Sequence, residues 1–155
     1  MKIGFVMDPL ASVNIKEDTT FALMLGAQQR GHEIYYMRMA DLTADGDECW
    51  APIQHAEVRR EEGNHYDLGS RQYEPLHALD CVFMRKDPPF DIPYLHAAHL
   101  LELAEEKGCL VMNKPNGLRA ANEKLYALPF VEHMPDTLVT RNRDRVRSFL
   151  DDHEG

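Results

Sequence analysis

Thiols, long apolar runs and basic charge are scarce in this sequence, and each scarcity removes a class of protein. Only three cysteines occur in 155 residues. Cys49, Cys81 and Cys109 are odd in number, widely spaced and without a C-x-x-C pair, so neither a disulfide framework nor a thiolate zinc site is signalled. Cys81 and Cys109 sit inside apolar runs and read as small buried hydrophobes. Nowhere do about 18 apolar residues follow one another, as a membrane-spanning helix would need. Met1-Lys2-Ile3-Gly4-Phe5 leads straight into a strand with no signal peptide, and a reducing, cytoplasmic location is expected. Acidic side chains outnumber basic ones 26 to 17, for a formal net charge of −9. A broad electrostatic grip on nucleic acid or on an anionic membrane is therefore not expected, although an acidic protein can still hold an anion in a local basic pocket. No G-x-G-x-x-G follows the first apolar run, which weighs against a dinucleotide-binding enzyme.

What is there reads as one α/β core. Lys2 to Met7 is a short apolar run stopped by Asp8-Pro9, a first strand ending in a turn. Asn14 and Ile15 lie on the connecting loop. From about Asp18 the spacing turns helical, with Phe21, Ala22 and Leu25 on one face, and Gly31 ends it as a left-handed residue. Ile34 to Met37 follows as a second strand, so the chain opens strand, helix, strand, the first unit of a doubly wound sheet. Between Met39 and about His77 the segments become short and polar. Asp45-Gly46 and Gly63-Asn64 fit tight hairpin turns, and an inserted set of hairpins is expected there, with Trp50 as a plug over the core edge. Leu79 to Met84 resumes the parallel sheet. A helix over 92–107 then presents Tyr94, Ala97, Ala98, Leu100, Leu101 and Ala104 to the sheet, and Gly108 closes it before the strand Leu110-Val111-Met112. On its outer side Leu95 and Leu103 fall among His96, His99, Glu102 and Glu106. Two histidines three apart could share a metal, but no third ligand is evident and a solvated pair is the better reading. A short helical piece reaches about Ala121, Asn122 to Leu125 forms another turn, and Arg141 to Asp152 is amphipathic.

The chemistry concentrates in Met84-Arg85-Lys86-Asp87-Pro88-Pro89-Phe90-Asp91. A buried strand stops there in two cations, an acid and two prolines, and the carboxyl end of such a strand is where open α/β sheets bind ligands. The bland alternative has Arg85 paired with Asp87 or Asp91 at the start of the next helix, as a matter of stability alone.

Four blocks carry a resemblance: KIGFVMDPLASVNIKEDTTFALMLGAQQRGHEIYYM, then FMRKDPPFD, LELAEEKGCLVMNKPNGLRAANEKLYAL and PDTLVTRNR. Together they resemble the amino-terminal part of bacterial glutathione synthetases, members of the ATP-grasp ligases. The resemblance implies a pre-ATP-grasp, Rossmann-like, mostly parallel sheet over residues 1–121 and the start of the ATP-grasp domain over 122–155. It implies that γ-glutamylcysteine and glycine are joined through an acyl phosphate at the expense of ATP, with Mg²⁺ or Mn²⁺, by a cytoplasmic homo-oligomer, a dimer or tetramer. It points to Arg85 as a clamp on the dipeptide, to Lys86 and Asp87 beside it, to Asp8 and Asn14 facing the same crevice, and to Lys124 as an ATP contact. The glycine-rich loop and the metal ligands of the family have no counterpart here, so no catalytic or metal-binding residue is expected in the chain, and the 155 residues alone are expected to be inactive. A glutamate-adding ATP-grasp ligase and a non-catalytic ligand-binding or dimerisation module are the rival readings.

Overall fold

The computed structural model describes residues 1–121 and 124–153. Its opening unit is β1 (Lys2–Val6), α1 (Thr19–Gln29) and β2 (Glu33–Met37). The strands are parallel, with Ile3 opposite Ile34 and Val6 opposite Met37. Helix α1 starts where a short polar side chain can satisfy its free amides, as the Asp18 carboxylate accepts from Phe21 N at 2.7 Å. It stops at Gly31, whose φ of 78° few other residues adopt cheaply.

The inserted region forms β3 (Thr43–Asp45), β4 (Glu48–Val58) and β5 (Tyr66–Pro75). Gly46 and Gly63 turn the chain between them with φ of 60° and 79°. These strands extend the main sheet: β4 runs antiparallel to β2, with Tyr35 opposite His55. Trp50 pairs with Thr43 on one side and Pro75 on the other, so β5 is the outer edge. The Trp50 ring stacks on Tyr73, centroids 5.4 Å apart, across this antiparallel pair. Past the last bridge of β4 to β2, the Gln28 side chain substitutes for a strand partner: it donates to Val58 O at 2.9 Å and accepts from Val58 N at 2.8 Å.

On the other side of β1 lies β6 (Cys81–Met84), followed by α2 (Ile92–Glu106) and β7 (Leu110–Met112). Both new strands are parallel to β1. The chain thus leaves β1 for β2 on one side and later returns to β6 on the other. The carboxyl ends of β1 and β6 flank that reversal, the place where loops diverge and leave a crevice.

The two faces of the sheet have separate cores. Ile3, Phe5 and Met7 pack with Phe21, Met24 and Leu25 of α1. Val6 packs with Tyr94, Ala97, Leu101 and Ala104 of α2. Burying a large apolar side chain such as Phe5 or Phe21 contributes about 1.5–3 kcal/mol. Gly4 points to the α2 side, where a Cβ would lie 2.7 Å from Leu79 Cδ1 and 2.8 Å from Met37 Cε, so the strand needs glycine for this approach. Helix α2 buries Tyr94, Ala97, Ala98, Leu101 and Ala104 as expected, whereas Leu100, expected on the same face, is only half-buried and lines a depression with His96, His99 and Leu103.

Met1–Leu118 is one compact unit and Arg119–Gly155 a second. The short α3 (Pro115–Ala120) ends the first and enters the second, which continues through a 3-10 stretch, Leu128–His133, to α4 (Arg143–His153). None of the second unit's described residues is buried. Asn122 and Glu123, on which another helical turn is expected, lie outside the described residues. No helix of the described residues is long and apolar enough to cross a membrane.

Candidate functional site

Strand pairing carries one residue beyond β6. Met84 faces Val6 in register, and Arg85 N donates to Val6 O at 2.7 Å, so Arg85 begins at the lip of the sheet. Its guanidinium turns toward the first turn of α1. Nε donates to Thr20 Oγ1 at 3.0 Å and Nη2 to Thr19 Oγ1 at 2.8 Å. Both threonines are placed by the Asp18 cap, and Thr20 is 4 % exposed. Asp91 accepts from Tyr94 N at 3.0 Å and caps α2, so it is not the partner of Arg85. Among the described residues Arg85 makes no ion pair. A cation oriented by two neutral hydroxyls, next to the positive end of a helix, keeps its attraction for an anion.

Lys86 has a different task. Its Nζ lies 3.1 Å from Asp8 Oδ1 and donates to Asp87 O at 2.8 Å, while Asp87 N donates to Asp8 Oδ2 at 3.2 Å. Asp8 at the end of β1 thus fastens the loop after β6. The pair is partly exposed and worth about 0–1 kcal/mol as a salt bridge, so its role is to order the loop.

A crevice of about 180 Å³ opens here, lined by Asp8, Ser12, Val13, Asp18, Arg85 and Asp87 among others. Asp8 and Asp18 already accept hydrogen bonds. Asp87 completes the lining as the third acidic group, and with Arg85 the crevice offers both signs of charge. Tyr94 sits within electrostatic reach of both. Burial pushes its phenol up, Arg85 pulls it down and Asp87 raises it, and the net upward shift keeps it protonated. Asn14 does not line this crevice. Its Oδ1 accepts from Lys16 N at 3.1 Å and its Nδ2 donates to Glu17 Oε2 at 3.0 Å, which shapes the loop before α1. It lines an adjoining depression of about 450 Å³ shared with Lys16, Glu62 and His65, and Ser12 and Val13 border both spaces. Lys124 is exposed on a turn of the second unit. No group of three or more His, Cys, Asp or Glu among the described residues is placed to hold a metal ion, His96 and His99 included. The cysteines offer no nucleophile, since burial pushes the Cys49 and Cys109 thiols up to about 12.

Sequence reasoning missed Thr19, Thr20 and Tyr94. The signal for the threonines was Asp18-Thr19-Thr20 itself, polar residues opening a helix that starts at the carboxyl edge of the sheet.

Residues 1–119 match the model of a family described as prokaryotic glutathione synthetase, N-terminal domain. The chain belongs to this family. Over 153 residues, 99% of the chain, it is 48% identical to a glutathione synthetase of Yersinia pestis, and 46% and 47% identical to those of Vibrio parahaemolyticus and Salmonella typhimurium. The match takes in 48% of the first two relatives and 49% of the third, so the chain spans about half the length of the curated relatives it matches.

Proposed function

We propose that the chain is the amino-terminal part of a cytoplasmic ligase that joins γ-glutamylcysteine to glycine with consumption of ATP, and that the crevice between β1 and β6 receives the dipeptide. The reading is supported by the family and by one observation above all: a guanidinium at the carboxyl edge of the sheet, oriented by two hydroxyls and left without a carboxylate among the described residues. Arg85 takes a carboxylate of the dipeptide in its fork, and Asp87 the ammonium of the same zwitterion. Lys86 and Asp8 hold the loop in place, and Asn14 shapes the neighbouring wall. The first unit serves as substrate-binding domain and the second as the entry to the nucleotide-binding domain, with Lys124 directed to ATP phosphate. The divalent ion of such a reaction would offset phosphate charge. The described residues do not form a site for it, so binding and orientation are the work assigned to these 155 residues.

Arg85→Lys separates this reading from a purely structural one. It keeps the charge and loses the fork, so calorimetric titration should show dipeptide binding weakened by about 1.5–3 kcal/mol with little change in melting temperature. Unchanged affinity together with a lower melting temperature would assign Arg85 to fastening β6 to α1.

A further inference from the structure

The turn between β4 and β5 closes against the loop that leaves β1. Arg59 stiffens this turn from within: its guanidinium donates to Asn64 Oδ1 at 2.6 Å and to Asp67 Oδ2 at 2.5 Å, and its N donates to His65 O at 2.9 Å. The His65 ring stands edge-on to Phe21 of α1, centroids 5.9 Å apart. Its Nε2 lies 2.7 Å from Leu10 O, and because a carbonyl only accepts, Nε2 carries the proton. Leu10 is buried and opens the 3-10 turn Leu10–Ser12, and the same carbonyl accepts from Val13 N at 3.2 Å. Ser12 and Val13, shaped by that turn, wall both the Arg85 crevice and the depression of about 450 Å³ beside it, which His65 also lines. The Lys16–Glu62 pair, 3.3 Å apart, bridges the same two loops but is exposed on both sides and contributes little.

We propose that His65 is a positioning residue for the dipeptide: from the inserted hairpin it holds the Leu10–Val13 turn, and through that turn it sets the Ser12–Val13 wall of the Arg85 crevice. This rests on the reading that the crevice receives γ-glutamylcysteine. The wall has little else to hold it. The loop's own hydrogen bonds run within it, Ser12 N to Pro9 O at 2.9 Å and Glu17 N to Asn14 O at 3.1 Å among them, whereas His65 reaches it from 55 residues away in the chain. Contact with Phe21 fixes the ring, so the donor is already aimed when the site is empty. A wall ordered before the ligand arrives removes the entropy loss of ordering it on binding. Protonation leaves the hold intact: the carbonyl selects the Nε2–H tautomer of the neutral ring, and the charged ring keeps that proton. The inserted hairpin thereby gains a function in the site, although no residue of it lines the Arg85 crevice.

Wild type, His65→Phe and His65→Gln are compared by calorimetric titration with γ-glutamylcysteine, by hydrogen exchange followed at the Val13 amide by NMR, and by melting curves. His65→Phe keeps a ring against Phe21 and removes the donor. Its dissociation constant for the dipeptide should rise about three- to tenfold and its Val13 amide should exchange faster, with little change in melting temperature. His65→Gln carries a side-chain N–H and should recover most of the affinity and the slow exchange. Unchanged affinity in His65→Phe, beside a wild type that binds, would overturn the proposal and leave the dipeptide reading standing. Weaker binding with unchanged Val13 exchange would overturn it too, since the effect would not pass through the turn. Affinity that falls in both variants in step with melting temperature would make His65 a packing residue, again against the proposal. A wild type that does not bind the dipeptide would overturn the reading of the crevice, and the role of His65 with it.

Discussion

Thr20 shows how much of a binding site can rest on a group with no charge. It is buried at the start of α1, and its hydroxyl accepts from Arg85 Nε. Thr20→Val keeps the shape and removes the acceptor. The expected outcome is a stability loss of about 0.5–1.5 kcal/mol by thermal or urea unfolding, and a several-fold weaker affinity for the dipeptide, because the fork is no longer held flat. An affinity equal to wild type would mean that Arg85 is oriented by something else. At this scale the sequence was half legible. Arg85 at the end of an apolar strand could be read directly, because a strand that stops at charge must deliver it to the sheet edge. Its partners could not, since the nearest acids in sequence, Asp87 and Asp91, were the natural candidates. The hydroxyls that hold it lie 65 and 66 residues away, across a tertiary contact. Asn14 illustrates the opposite case: its local hydrogen bonds are those an Asn before a helix commonly makes, and they leave it outside the crevice that Asp8 lines.

Among the elements, α2 was the most readable. Its apolar positions recur at helical spacing, Asp91 precedes it as a cap, Pro93 occupies its first turn, and Gly108 follows with φ of 99°. Asp91→Ala should lower stability by about 1 kcal/mol in a denaturant titration while leaving dipeptide affinity unchanged, since the carboxylate caps a helix and does not touch Arg85. A change in affinity of the size expected for Arg85→Lys would place Asp91 in the site after all. The strands β1, β2, β6 and β7 were legible from apolar runs bounded by turns. The docking of the inserted hairpins was not. Gly46 and Gly63 announce turns, but nothing local tells that β4 pairs with β2 and continues the main sheet in the antiparallel sense. That choice depends on the open edge of β2, a property of the sheet as a whole.

For the whole molecule, an excess of acid leads the sequence reading to expect no polyanionic partner while leaving room for one oriented cation in a crevice. The topology explains where that cation can act: β1 sends the chain to opposite sides, and Asp8, Arg85 and Asp87 meet at the point of reversal. The central claim is that Arg85 binds a carboxylate of γ-glutamylcysteine there. A double-mutant cycle tests it most directly. Wild type and Arg85→Ala are each titrated calorimetrically with γ-glutamylcysteine and with its two monoamides, one carboxylate removed at a time. For one of the two amides the coupling energy with Arg85 should be about 1.5–3 kcal/mol, because the guanidinium can favour a carboxylate only while that carboxylate is present. Coupling near zero for both amides would contradict the account, whatever the separate losses from mutation and amidation.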